Sequence, residues 1–143
     1  MMHQFDDYKN IHPTPHYQDT RGVTHNEQGF RRTEDVSMAK PPNTYRIFLM
    51  GGSTAYGLGS LSPKGHVKYP VLNNNETIDH YVEELLHHKI PSRRFEVINA
   101  AIPSHSSHHH LIYLNQTILK YHPDMIILLD GTNDYFPWEK GYD

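Results

Sequence analysis

Apolar positions concentrate in three short segments, the third of them continuous, separated by two stretches in which they recur at helical spacing. The first run, residues 45–50, breaks at Gly51 and Gly52. The second occupies residues 95–99 and the third residues 125–129. Runs of this length, bounded by turn-forming residues, predict buried strands. Between the first two, Ile78, Tyr81, Val82, Leu85 and Leu86 recur as one face of a helix, with Asn75 placed to cap it and Pro91 to close it. Between the second and third, Ser106 or Ser107 suits an N-cap, and Leu111, Leu114, Ile118 and Tyr121 share a face before Pro123.

The order strand, helix, strand, helix, strand predicts an α/β fold built on a right-handed, doubly wound parallel sheet, three-layered and flavodoxin-like. In such a sheet the carboxyl ends of the strands lie on one edge, where ligands bind. Here those ends carry Ser53, then residues 99–104, then Gly131, Thr132, Asn133 and Asp134. Residues 57–75 predict a loop, with Gly57, Gly59, Pro63, Gly65 and Pro70 spread along it. Residues 1–44 are polar, rich in His, Pro and Asp, and lack apolar periodicity. They predict an extended arm, with Gly29, Phe30 and Arg31 able to anchor it to the domain formed by residues 45–143.

Composition narrows the classes. A chain of 143 residues suits one small domain. Its net charge of −3, with no basic stripe, speaks against a nucleic-acid partner. Cysteine is absent, which removes disulfide and thiolate metal chemistry. No apolar run approaches the ~20 residues of a membrane span. The 13 histidines are an enrichment, and His105, His108, His109 and His110 form the densest group. Successive helical residues point about 100° apart, so three in a row cannot face one metal; a solvated helix start is the expectation, and no metal site is predicted. No Gly-Lys-Ser/Thr follows the glycines, and Gly57 with Gly59 lacks the third glycine of a dinucleotide fingerprint, so no cofactor is predicted.

A serine at a strand tip between small residues is a candidate nucleophile, and acyl transfer further needs a base and donors for the oxyanion. A tight turn with a capping serine is the structural alternative for Ser53. Backbone N–H groups at the turn around Ser104, and the side-chain amide of Asn133, are suited to hold an oxyanion. Asp134 also suits a helix N-cap.

In these residues the chain resembles the SGNH (GDSL-like) hydrolases, a family of esterases and acetyl esterases. Gly51, Gly52, Ser53 and Thr54 look like its first block, with Gly52 in place of the aspartate. Residues 99–104 look like its second block, with Ser104 in place of the oxyanion glycine, and Gly131, Thr132, Asn133 and Asp134 match its third. Arg46 with Ile47, Gly29 to Arg31, and Tyr121 to Asp124 resemble the polysaccharide-modifying, envelope-associated branch. The resemblance implies a serine esterase that hydrolyses or transfers an O-acyl group, acetyl on a carbohydrate, with a small-molecule or polysaccharide ester as substrate. Ser53 would be the nucleophile; the N–H groups of Ser53 and Ser104 and the Asn133 amide would hold the oxyanion. Gly52, Thr54, Asp134 and Tyr135 would border the substrate, and Tyr135, Phe136 and Trp138 offer either an aromatic platform for a sugar or packing of the chain end.

The family's base lies in a late Asp-x-x-His block, which has no counterpart before Asp143. The expectation is therefore a sheet incomplete at its C-terminus, with the third strand an uncovered apolar edge, the missing part of the domain downstream, and little activity in these residues alone. A non-catalytic glycan-binding or assembly module on the same fold is the alternative.

Overall fold

The computed structural model describes residues 3–4, 12–58 and 71–139. The predicted loop residues Gly59, Pro63, Gly65 and Pro70, and the side chains of Phe136 and Trp138, lie outside the described ones. Besides a short antiparallel pairing of His3–Gln4 with His12–Pro13 and two 3-10 turns, the elements are β1 (Thr44–Gly51), α1 (Ser53–Tyr56), α2 (Ile78–Lys89), β2 (Arg94–Asn99), α3 (Ser107–Gln116), β3 (Met125–Leu129) and α4 (Thr132–Glu139). All three predicted strands form, and they make one parallel sheet in the order β2-β1-β3. Ile47 pairs with Val97 on one side and with Met125 on the other.

Alternation along β1 sends its side chains to opposite faces. Phe48 and Met50 join Ile98, Ile102, Tyr113, Ile118 and Tyr121 in one cluster, while Leu49 joins Val23, Ala55, Tyr56 and Ala101 in another. Burying a side chain of this size contributes about 1.5–3 kcal/mol, so the central strand anchors both clusters.

The N-terminal segment has little regular structure, yet Phe30 is one of several anchors. Val23, His25, Asn26, Phe30, Arg31 and Val36 are all buried. Phe30 meets Phe48 and Tyr121 edge-to-face, with centroids 5.4 and 5.3 Å away. The Arg31 guanidinium donates to the carbonyls of Tyr56 and Leu72 and to Asn74 Oδ1 and lies 4.6 Å over the Tyr56 ring. His25 Nδ1 lies 2.9 Å from the Thr14 carbonyl and Nε2 lies 2.7 Å from the Tyr56 hydroxyl. The segment is held by polar groups as much as by apolar ones, a pattern that hydrophobic periodicity does not register.

The helix α2 has the predicted period and the opposite orientation. Much of its apolar stripe looks outward, with Ile78, Tyr81 and Leu85 exposed by 42, 58 and 56 % and Val82 and Leu86 half-buried. Its polar stripe, Asp79, Glu83 and His87, runs along the outer edge of β2. There the Val97 N–H donates to Glu83 Oε2 (2.6 Å), the Phe95 N–H to His87 Nε2 (3.1 Å), and the Asn99 amide to Asp79 Oδ1 (2.7 Å). The cause is the strand's own chemistry. Edge N–H groups covered by a helix and left unpaired cost about 1–3 kcal/mol each, and only the polar stripe offers acceptors. The predicted cap is corrected as well: Thr77, not Asn75, occupies the N-cap of α2, while Asn73 caps the preceding 3-10 turn Asn74–Glu76.

Burial pushes the Asp79 carboxyl above the usual carboxylate range, with the Asn99 and Thr77 hydrogen bonds partly opposing it. Its protonated form therefore favours the folded state. This contribution is complete below the unfolded value near ~3.9 and is lost as pH rises through the higher folded value. Asp79→Asn, which stays neutral, is expected to gain stability relative to the wild type as pH is raised from about 4 to 8. Thermal melts across that range check this; a difference that does not change with pH would refute it.

On α3 the N-cap is Ser106, as anticipated, and its N–H donates to His109 Nδ1 at 3.2 Å. The buried face is shifted from the predicted one: Leu111 is 60 % exposed, and His110 and Tyr113 turn inward. A 3-10 turn, Ile118–Tyr121, follows the helix and buries Ile118 and Tyr121 as expected. The strand β3 is an edge of the described sheet, with Met125, Leu128 and Leu129 exposed.

Candidate active site

The site grows from the ends of the three strands. Residue Gly51 closes β1 opposite Leu129 of β3, and a Cβ there would lie 2.2 Å from the Leu129 carbonyl oxygen. Only glycine allows that approach, which lets the chain turn directly into α1 with Ser53 as its first residue. Beyond β2, the segment Ala100 to Ile102 continues along β1 through Ala100 N–H to Leu49 O and Ile102 N–H to Gly51 O, each 2.9 Å. Asn99, fully buried, ties this strand end to the first: its amide donates to Ala55 O at 3.0 Å, and its oxygen accepts from Ala101 N–H.

The third strand end delivers Asn133, whose Nδ2 donates to the His105 carbonyl at 2.7 Å. That same nitrogen would be 2.6 Å from a Cβ at residue 52, so Gly52 is what allows the Asn133 amide to lie against the β1 turn. A side chain there would require the Asn133 amide to shift. The three strand ends thus meet at Gly52, His105 and Asn133. A primary amide has two N–H donors, and the bond to His105 uses one.

A cavity of about 160 Å³ opens at this junction, lined by Gly52, Ser53, Thr54, Leu129, Asp130, Thr132 and Asn133. Four of the predicted residues, Gly52, Ser53, Thr54 and Asn133, share it. The others stand apart. Ser104 is exposed and is not part of the cavity lining. Its φ of 69° is the left-handed conformation that a glycine would adopt without strain. Asp134 is engaged structurally, its Oδ1 accepting from Ser107 N–H (2.9 Å) and Oγ–H (2.8 Å) at the start of α3. These bonds, the hydroxyl's first, hold its carboxyl below the usual range. It caps α3 across the site, rather than its own helix. Tyr135 is 64 % exposed, outside the cavity.

The histidine cluster departs from the solvated helix start that the sequence predicts, because His105 and His110 are buried. Their rings lie 5.8 Å apart, and His105 stacks on His109 at 4.9 Å. Burial, reinforced by His108 and His110 nearby, lowers the His109 basicity. Among the described residues no group of three or more His, Cys, Asp or Glu could hold a metal ion. Instead, His110 Nδ1 lies 2.6 Å from Asp130 Oδ2, with side-chain exposures of 3 and 10 %. Asp130 is the site residue that the sequence reading passes over. Its signal was its place: the first residue after the β3 apolar run, at the same sheet edge as Ser53.

No family model matches the chain, and no curated protein matches it in sequence. Among the described residues no helix is long and apolar enough to cross a membrane.

Proposed function

We propose that the chain carries the nucleophile and oxyanion side of an SGNH-type serine ester hydrolase, acting on an O-acyl group, acetyl on a carbohydrate. The observation that carries this reading is that Ser53 and Asn133, brought from separate strand ends, line one cavity, with the Asn133 amide against the β1 turn. Ser53 Oγ attacks the acyl carbonyl, and the carbonyl oxygen becomes the oxyanion. The Asn133 amide and the backbone N–H of Ser53 are its donors at the cavity; losing one such donor typically costs about 3 kcal/mol of transition-state stabilisation. The strand order β2-β1-β3 supports the doubly wound, flavodoxin-like arrangement in which this edge is the binding edge.

The test is covalent capture of the nucleophile. A fluorophosphonate probe is expected to add once, at Ser53, as read by peptide mass spectrometry. An adduct on any other serine, with Ser53 unmodified, would sink the proposal. A non-catalytic glycan-binding or assembly module on the same fold is favoured by one observation, the position of Ser104 outside the cavity lining. That reading expects binding of an acetylated oligosaccharide to survive Ser53→Ala with no Ser53 adduct in the wild type.

A further inference from the structure

Ser53 begins a helix too short to hold itself. Helix α1 has four residues, and isolated helices shorter than about 12–15 residues are marginal in water. Its backbone carbonyls show what holds it instead. Those of Ser53 and Thr54 accept from the chain just ahead, from Gly57 N–H (3.1 Å to each) and Leu58 N–H (2.9 Å to Ser53 O). The last two are held by side chains from elsewhere in the fold. The Asn99 amide of β2 donates to Ala55 O at 3.0 Å, and the Arg31 guanidinium of the N-terminal segment donates to Tyr56 O. Gly57 makes room for that head group: its φ of 96° is left-handed, and a Cβ there would lie 2.5 Å from Arg31 Nη1. Arg31 is 2 % exposed, and its acceptors among the described residues, Tyr56 O, Leu72 O and Asn74 Oδ1, are all neutral. A buried cation without a bonded carboxylate is a weak net source of stability, because desolvation offsets what its hydrogen bonds return. What it does deliver is geometry, since a planar guanidinium fixes its acceptors relative to one another.

We propose that Arg31 is a positioning residue for Ser53: it fixes the far end of α1 so that the near end presents the hydroxyl and backbone N–H of Ser53 to the cavity. The inference rests on the ester-hydrolase reading and gives the N-terminal segment a part in it. The near end of α1 is set by the strand ends, with Gly51 against Leu129 O and Gly52 against the Asn133 amide. A body held at one end still pivots. Four helical residues span only about 6 Å, so a shift at Tyr56 tilts all of α1 and turns the Ser53 hydroxyl and N–H with it. A misplacement of about 1 Å at a reacting group can cost roughly 100-fold in rate. Asn99 is the second clamp, and it is itself fixed by Asp79 Oδ1 (2.7 Å) and Ala101 N–H (3.1 Å). The neighbouring Phe30 has a different task. It packs on Phe48 and Tyr121 in one cluster, whereas Ala55 and Tyr56 of α1 belong to the other. Ser53 is the catalytic residue, and Arg31 acts only through it.

The experiment is the rate of fluorophosphonate labelling of Ser53 in the full chain, read by peptide mass spectrometry over a series of probe concentrations. Circular dichroism and melts confirm that each variant is folded at the labelling temperature. Arg31→Lys keeps the charge, but one ammonium cannot span the three acceptors. It is expected to lower the limiting labelling rate by roughly 10–100-fold. The half-saturating probe concentration should stay within about twofold of wild type, since binding is not what is lost. Phe30→Leu is the control for general loosening of the N-terminal segment. It is expected to lower the melting temperature and to leave the labelling rate within about threefold of wild type. Arg31→Ala opens a gap the size of the lost head group, and millimolar guanidinium is expected to restore much of its labelling. Should one Arg31 variant fail to fold, the other decides against Phe30→Leu. A folded Arg31→Lys that labels within about threefold of wild type overturns the inference and spares the nucleophile reading. A Phe30→Leu variant slowed as much as Arg31→Lys does the same. A wild-type chain in which Ser53 takes no adduct overturns both.

Discussion

Replacing Ser53 with alanine is expected to lower p-nitrophenyl acetate hydrolysis by roughly 1,000-fold or more while leaving the fold intact. The magnitude follows from the nucleophilic role proposed for the hydroxyl. Removing the attacking atom leaves only the oxyanion donors and binding, and in serine hydrolases of other folds that difference spans several powers of ten. The fold should be indifferent because Ser53 is only partly buried, at the first position of a four-residue helix, and alanine suits that position. The close approach that shapes the turn belongs to Gly51 and Gly52. The melting temperature should therefore stay near that of wild type, within about 0.5 kcal/mol in stability terms. A variant that keeps its rate would remove Ser53 from the chemistry; one that melts early would show that the hydroxyl is structural.

What could be read from the sequence divides along physical lines. The strands were legible because short, mostly apolar segments bounded by turn residues suit a parallel sheet, and the three segments form β1, β2 and β3 with nearly the predicted ends. Parallel order then put Ser53, residues 99–104 and Asn133 at one edge without further information. Orientation was not legible where polar groups decided it. For α2, amphipathicity identified two stripes, but the edge of β2 needed acceptors, and Asp79, Glu83 and His87 supply them. For α3, His110 reads as polar and hence solvated until Asp130, twenty residues on, offers a partner at 2.6 Å. The N-terminal segment lacked periodicity because Arg31 and Asn26 hold it through hydrogen bonds rather than an apolar stripe. Ser104 adopts the left-handed conformation that a glycine takes without strain, at φ 69°.

Arg46→Met is expected to reduce the unfolding free energy by about 3–5 kcal/mol, mostly from two carbonyls that lose their donor at about 1–3 kcal/mol each, with a smaller part from the carboxylate that loses its buried partner. Arg46 opens the inward half of β1 and is 1 % exposed. Its Nε and Nη2 both bond Glu96 Oε2 at 2.8 Å, and its Nη1 donates to the carbonyls of Ser37 (2.9 Å) and Tyr121 (2.7 Å). One guanidinium thus joins β1, β2, the N-terminal segment and the turn before β3. Methionine fills much of the volume but satisfies none of these acceptors. Glu96 keeps a partial partner in Arg94, 3.1 Å away, so most of the loss comes from the two carbonyls. That assignment has its own check. Adding Glu96→Leu to Arg46→Met removes the stranded carboxylate but not the stranded carbonyls, so the double variant should recover only part of the stability. Urea unfolding with an unchanged m-value reads both quantities. Full recovery in the double variant would place the cost in the carboxylate. A single-variant loss under about 1 kcal/mol, the range of an exposed pair, would mean that the fold does not depend on Arg46.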